Sequence, residues 1–313
     1  MGKSKLPPPL PRCPAVGTEI QRSKADEAAY RAIERVAGKL LDKCDSHLRM
    51  TKGHLLRSMK LTHRSMVVLV TKGKQEHSGD LLPLTRLQVE RLFVCMLLTE
   101  DPDKYLPRFR KAAWKAHATS FYRDQAELGH LNHCKEYYAT QEAEIAEFGR
   151  MMDADDDEIA TLAAQLKGQQ LGSGFSWKEI PVLPNLASVE DVVSDPGLKA
   201  VARRFYLAYN ELCHYSHGGF LGVMIGGLLG GKIKSVDASG ADVFFERQVV
   251  ERTFPCSYVC MMTAATLFGL DYLDDPDLVA TVIAGWSPHL CDAMTLGIVV
   301  WDAWAKQALG ALT

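Results

Sequence analysis

The stretch Leu84-Thr85-Arg86-Leu87-Gln88-Val89-Glu90-Arg91-Leu92-Phe93-Val94-Cys95-Met96-Leu97-Leu98-Thr99-Glu100-Asp101-Pro102 decides the fold. From Leu92 to Leu98 it is apolar nearly all round a helical wheel, as a helix buried on every side must be. It then hands over to a carboxylate followed by a proline. At a helix start the Asp oxygen satisfies an orphan backbone N–H, and proline in the first helical position forfeits no hydrogen bond. The same device recurs at Asp195-Pro196, Asp275-Pro276 and Ser287-Pro288. Four such starts point to an all-α fold, a single large helical bundle.

Working outward, periodicity places helices over 24–72, broken near Gly53, and over 84–99, 102–122, 124–151 and 155–167. Helices resume at 196–217, 248–273, 276–285 and 288–309. Between them, residues 168–194 are a Gly/Ser/Pro-rich connector holding Gly172-Ser173-Gly174 and Pro181…Pro184. Residues 232–236 and 242–246 flank Ala238-Ser239-Gly240 and suit either a small β-hairpin or an irregular loop. Residues 1–22, with Pro7-Pro8-Pro9-Leu10-Pro11, read as a disordered tail. The remainder, 23–313, reads as one helical domain whose only candidate boundary is the connector.

The 313 residues, 47 % apolar and 24 % charged, suffice for a substantial core. A net charge of -2, from 36 basic and 38 acidic residues, gives no overall bias toward nucleic acid and leaves that role to a local patch. The eight cysteines form no C-x-x-C pair. Cys256 and Cys260, one helical turn apart, read as core residues, and reduced thiols fit a cytoplasmic setting. No apolar signal stretch opens the chain. The apolar runs at 218–230, 254–273 and 289–305 are too short or too interrupted for a span of about 20 apolar residues, so no membrane partner is expected.

Two constellations carry the polar chemistry. Arg86, Glu90, Phe93 and Leu97 fall on one helical stripe, so an ion pair extends an apolar face. Its plain reading is a packing contact; its sharper reading is a pocket wall with Arg86 holding an anion. Asn210, His214 and His217, at i, i+4 and i+7, share another face, opposite Phe205, Ala208, Leu212 and Tyr215. Gly218-Gly219 ends that helix, and its dipole favours a charged His217. Acid–base work, metal binding and carbonyl capping all remain open for these histidines. His130 and His133, i, i+3 on an expected helix, form a second pair, yet no H-E-x-x-H motif is present and neither metal nor cofactor is expected. Phosphate-loop and nucleophile-elbow motifs are missing too.

These residues resemble an uncharacterised family of bacterial all-helical proteins. The likeness rests on Arg86-x-x-x-Glu90 followed by Asp101-Pro102, on Tyr209…Leu212…Ser216-His217, and on Leu270-Asp271-Tyr272-Leu273-Asp274-Asp275-Pro276. It covers about 25–310. Such proteins are similar in layout to HEPN-type and abortive-infection helical proteins, some of which cut RNA. The resemblance implies that Arg86, Glu90, Tyr209 and His217 act as one site. Arg57…His63 and Arg110…His117 both fit the Arg…His spacing of HEPN ribonucleases, which shows how unspecific that spacing is; both read as solvated faces.

The expected function is binding of an anionic ligand, nucleotide or RNA, by Arg86, Glu90, Tyr209, Asn210 and Ser216. His214 and His217 are the candidate catalytic residues. The alternatives are a metal-independent HEPN-like ribonuclease in phage defence, with a histidine as acid or base, and a non-enzymatic protein that forms homodimers.

Overall fold

The computed structural model describes residues 19–42, 46–72, 80–167, 188–216, 253 and 256–268. Among them every regular element is a helix and no strand occurs, so the fold is all-α. The order is α1 (Glu19–Asp42), α2 (His47–Lys72), α3 (Leu81–Glu100), α4 (Pro102–Leu128), α5 (Lys135–Met151), α6 (Asp156–Lys167), α7 (Val189–Val192) and α8 (Pro196–Ser216). A further helix, α9, covers 256–268. Residues 1–18, most of the 168–194 connector, the 232–246 hairpin, His217 and the helices expected at 276–285 and 288–309 lie outside the described residues. The chain divides into two compact units, one of residues 1–99 with 189–313 and the other of residues 100–188.

In the first unit, α1 and α2 pair through contacts that run in opposite directions along the two helices. Arg49 Nη2 donates to the Lys39 carbonyl, Arg57 Nε to Glu34 Oε1 at 3.0 Å, and His63 meets Asp26. Rising numbers on α2 match falling numbers on α1, so the pair is antiparallel. The chain reverses between Asp42 and His47, not at Gly53. Gly53 sits inside α2, where a Cβ would lie 2.7 Å from Leu41 Cγ. Its missing side chain therefore permits a close helix–helix approach, and this is what the sequence pattern mistook for a break.

Ile33, Val36, Ala37 and Leu40 of α1 are buried, as are Leu56, Met59, His63 and Met66 of α2. On α3, Leu92, Phe93, Cys95, Met96, Leu97 and Leu98 are all buried, as their unbroken apolar run requires. Residues 256–266 of α9 are buried without exception. Two threonine hydroxyls on α9 are satisfied within it: Thr263 Oγ1 donates to the Val259 carbonyl at 2.8 Å, and Thr266 Oγ1 to the Met262 carbonyl at 2.9 Å. Cys256 and Cys260 belong to this core, and burial pushes the Cys260 thiol well above its ordinary range.

The second unit is α4, α5 and α6 around Trp114, Phe121, Tyr138, Ile145 and Leu162. Trp114 Nε1 donates to the Ile145 carbonyl at 3.2 Å, which lets a 1 % exposed indole sit in the centre. Beside it a Cβ on Gly149 would lie 2.8 Å from that nitrogen. The turn from α5 to α6 passes through Asp153 at φ 66°, in the left-handed region. The buried Arg110 reaches the Met151 carbonyl and sets its Nε 2.6 Å from Asp153 Oδ2, holding the turn against α4.

The helix starts follow their caps. Asp101 Oδ1 accepts from Lys104 N at 3.0 Å, and Asp195 Oδ1 accepts from Leu198 N at 2.7 Å. A third start uses no proline: Asp155 Oδ1 accepts from Glu158 N at 2.7 Å while Glu158 Oε2 accepts from Asp155 N at 3.2 Å, a reciprocal capping box. The expected helix over 124–151 is interrupted. α4 runs on to Leu128, and residues 129–134 form turns before α5. His130 and His133 lie in those turns and are exposed, so they do not share a helical face.

Candidate functional site

Arg86 lies in the second turn of α3, and its Nε donates to Glu90 Oε1 at 3.0 Å, the i, i+4 pair that the stripe required. The same guanidinium reaches α8. Its Nη2 donates to the Tyr209 hydroxyl at 3.2 Å, and its Cζ lies 5.2 Å from the centre of the Tyr209 ring. Two helices 123 residues apart in sequence thus meet through one side chain. The arginine side chain is 23 % exposed, so it is neither sealed in the core nor loose on the surface.

The electrostatics agree with a fixed cation. Burial works against the Arg86 charge, but Tyr209, Glu90 and Cys213 outweigh it and hold its pKa above the ordinary value. Tyr209 is pushed up to about 12, by burial first, then by a hydrogen bond with Cys213 and the negative charge of Glu90. The phenol therefore keeps its proton at neutral pH. Cys213, one turn beyond Tyr209 on α8 and half-buried, is a neighbour that the sequence reading passed over. Its only advance signal was the i, i+4 spacing from Tyr209.

Not all expected members gather here. Phe93 and Leu97 complete the buried lower part of the α3 stripe, and Phe205 and Leu212 anchor α8. Asn210 is exposed. His214 and Ser216 lie on α8, but their side chains, like all of His217, are outside the described residues. The structure thus brings Arg86, Glu90 and Tyr209 together. Among the described residues, no three His, Cys, Asp or Glu side chains converge in a way that could hold a metal. No described helix is long and apolar enough to cross a membrane.

A family model for a family of unknown function, DUF5677, matches residues 50–227, more than half of the chain. The chain belongs to this family. The DUF5677 span runs from α2 to just past α8, so it contains Arg86, Glu90, Tyr209, Asn210, His214, Ser216 and His217. No curated protein and no solved structure matches the chain.

A second constellation, unforeseen in the sequence, lies partly outside the DUF5677 span. His63 is wholly buried, with Nε2 3.2 Å from Asp26 Oδ1 and Nδ1 2.9 Å from Ser257 Oγ. Gln88 extends the network beyond Ser257. The Met59 carbonyl can only accept, so the Gln88 amide nitrogen faces it at 2.9 Å and gives its other hydrogen to Ser257 Oγ at 3.1 Å. Ser257 Oγ and His63 Nδ1 share the next hydrogen bond, and His63 Nε2–H donates to the Asp26 carboxylate. Tyr30 and Tyr258 flank the imidazole edge-on, at 6.0 and 5.9 Å between ring centres.

This Asp–His–Ser order has the connectivity of a hydrolase triad. Burial decides against that role. Ser257 and His63 are both 0 % exposed, and an attacking oxygen must reach a substrate. A fluorophosphonate probe is expected to leave Ser257 unlabelled in the folded protein, as mass spectrometry of the labelled chain would check. Labelling at Ser257 under native conditions would show that the helices open around it. His63 is thus no solvated residue, contrary to the sequence reading of Arg57…His63.

In the other Arg…His stretch the reading holds for His117, which is exposed with its ring edge against Phe148. Its Arg110, however, is buried at the α5–α6 turn. An open cavity of about 420 Å³ in the second unit is lined by Lys115, Asp155, Asp157, Glu158, Thr161 and Leu162. Two of its acids are already engaged, Asp155 in the α6 cap and Glu158 with Lys111 at 2.7 Å.

Proposed function

We propose that this protein recognises a phosphate-bearing anion, a nucleotide or RNA, at the α3–α8 contact, with Arg86 as the anion-binding group. The observation that carries the proposal is the double hold on Arg86, by Glu90 at 3.0 Å and by Tyr209 at 3.2 Å. A guanidinium fixed in advance loses little rotamer freedom when it meets a phosphate. Its partial exposure leaves it reachable, and the protonated Tyr209 hydroxyl stands beside it as a further polar group. Asn210 and Ser216, with His214 and His217 as candidate acid or base, belong to the same proposal on the strength of their positions in the sequence. So do a HEPN-like layout, a bacterial source, a cytoplasmic location and homodimer formation.

Fluorescence anisotropy with a short labelled single-stranded RNA, and calorimetry with ATP, test the site. Arg86→Lys keeps the charge but loses the planar fork, and it is expected to weaken binding about tenfold, or about 1.4 kcal/mol, with little change in melting temperature. Arg86→Ala is expected to abolish binding. Equal affinity in wild type and both variants, or no binding of either probe to wild type, would remove the proposal. Cleavage of the RNA that is lost in a folded His217→Ala protein would make the site a ribonuclease centre.

A further inference from the structure

We infer that the buried relay of Asp26, His63, Gln88 and Ser257 holds one internal water, which accepts from the Tyr30 hydroxyl and donates to Gln88 Oε1. Gln88 is 0 % exposed, and its amide nitrogen is fully used by Met59 and Ser257. Its Oε1 is buried, and among the described residues nothing donates to it. The Tyr30 oxygen is likewise buried without a partner among them. The two belong to one buried cluster: the Tyr30 ring packs edge-on against the His63 imidazole, and Gln88 bonds Ser257, whose Oγ meets the Nδ1 of that imidazole. Buried polar atoms in native proteins are almost always paired, by protein or by ordered water.

The chemistry of the two atoms selects the guest. Gln88 Oε1 needs a donor. Tyr30 needs an acceptor, because burial and the charges of Asp26 and Glu27 push its phenol up and keep its proton in place. An ammonium ion has no acceptor for Tyr30, and a halide has no donor for Gln88. Water has both, and polar walls are the setting in which internal water stays bound.

A double-mutant cycle on Tyr30→Phe and Gln88→Leu tests the inference through urea midpoints. The bonds from Gln88 to Met59 and Ser257 are lost on both sides of the cycle and cancel. The double variant is expected to shift the midpoint by clearly less than the sum of the single shifts, because the second change finds the water already gone. Additive shifts would overturn the inference. Wild-type protein supplies a second reading that needs no variant: a crystal structure showing a solvent peak within hydrogen-bond reach of both atoms. Direct contact between Tyr30 Oη and Gln88 Oε1, with no such peak, would overturn it as well.

Discussion

Replacing His63 by alanine is expected to lower the stability of the fold by about 3–5 kcal/mol, the range for removing one partner of a buried ion or hydrogen-bond network. Three losses coincide. Asp26, 7 % exposed, loses the donor at its Oδ1, and Ser257, 0 % exposed, loses its hydrogen bond to Nδ1. The space vacated by the imidazole, bordered by the Tyr30 and Tyr258 rings, closes only in part. Asp26→Asn separates charge from bonding. Its amide oxygen still accepts from His63 Nε2–H, so it is expected to cost much less than His63→Ala. Urea unfolding followed by circular dichroism would read both as midpoint shifts. A His63→Ala protein within about 1 kcal/mol of wild type would mean that the relay contributes no more than an ordinary hydrogen bond.

Trp114→Ala is expected to have a comparable effect in the second unit, about 3–5 kcal/mol for truncating a buried indole. Trp114 is 1 % exposed, and it ties α4 to α5 through the Ile145 carbonyl. The smaller side chain leaves a void and removes the side-chain donor to that carbonyl, which keeps only its bond within α5. Gly149→Ala tests the same packing from the other side. Its Cβ would sit 2.8 Å from Trp114 Nε1 and 2.9 Å from Cε2, an overpacking expected to cost about 1–3 kcal/mol. Hydrogen exchange of the amides between 102 and 167 would report the loosening. Unchanged protection in Trp114→Ala would show that this core does not rest on the indole.

The parts of the fold legible in the sequence were those governed by short-range chemistry. Asp101 and Asp195 could be read as caps because the oxygen, the N–H it accepts from and the proline lie within four residues. Asp155 and Glu158 obey the same logic but lack the proline, and their capping box went unread. Gly53 was ambiguous by nature. Glycine both ends helices and lets them approach, and only Leu41 across the α1–α2 contact separates the two. His130 and His133 were assigned a shared face because Gly129, the residue that caps the end of α4, was taken as helix interior.

Of the candidate site, the Arg86–Glu90 pair was visible as an i, i+4 spacing. Tyr209 entered only through family resemblance, because its link to Arg86 spans 123 residues. The relay was invisible for the same reason. Arg57, Lys60, Arg64 and Ser65 surround His63 in the sequence and suggest water, while the partners that bury it stand at positions 26 and 257.

The division of the chain bears on the order in which it is made. Residues 100–188 are a continuous run, whereas the unit that holds the relay is assembled from pieces on either side of that run. On a ribosome the inserted helices can close around Trp114 while α1 to α3 still lack α9. His63 must then wait for Ser257, 194 residues later, before its last bond can form. Such distant closures slow folding and keep apolar surface open in the meantime. Destabilising changes in the relay should therefore reduce soluble yield in cells beyond what their effect on purified protein suggests.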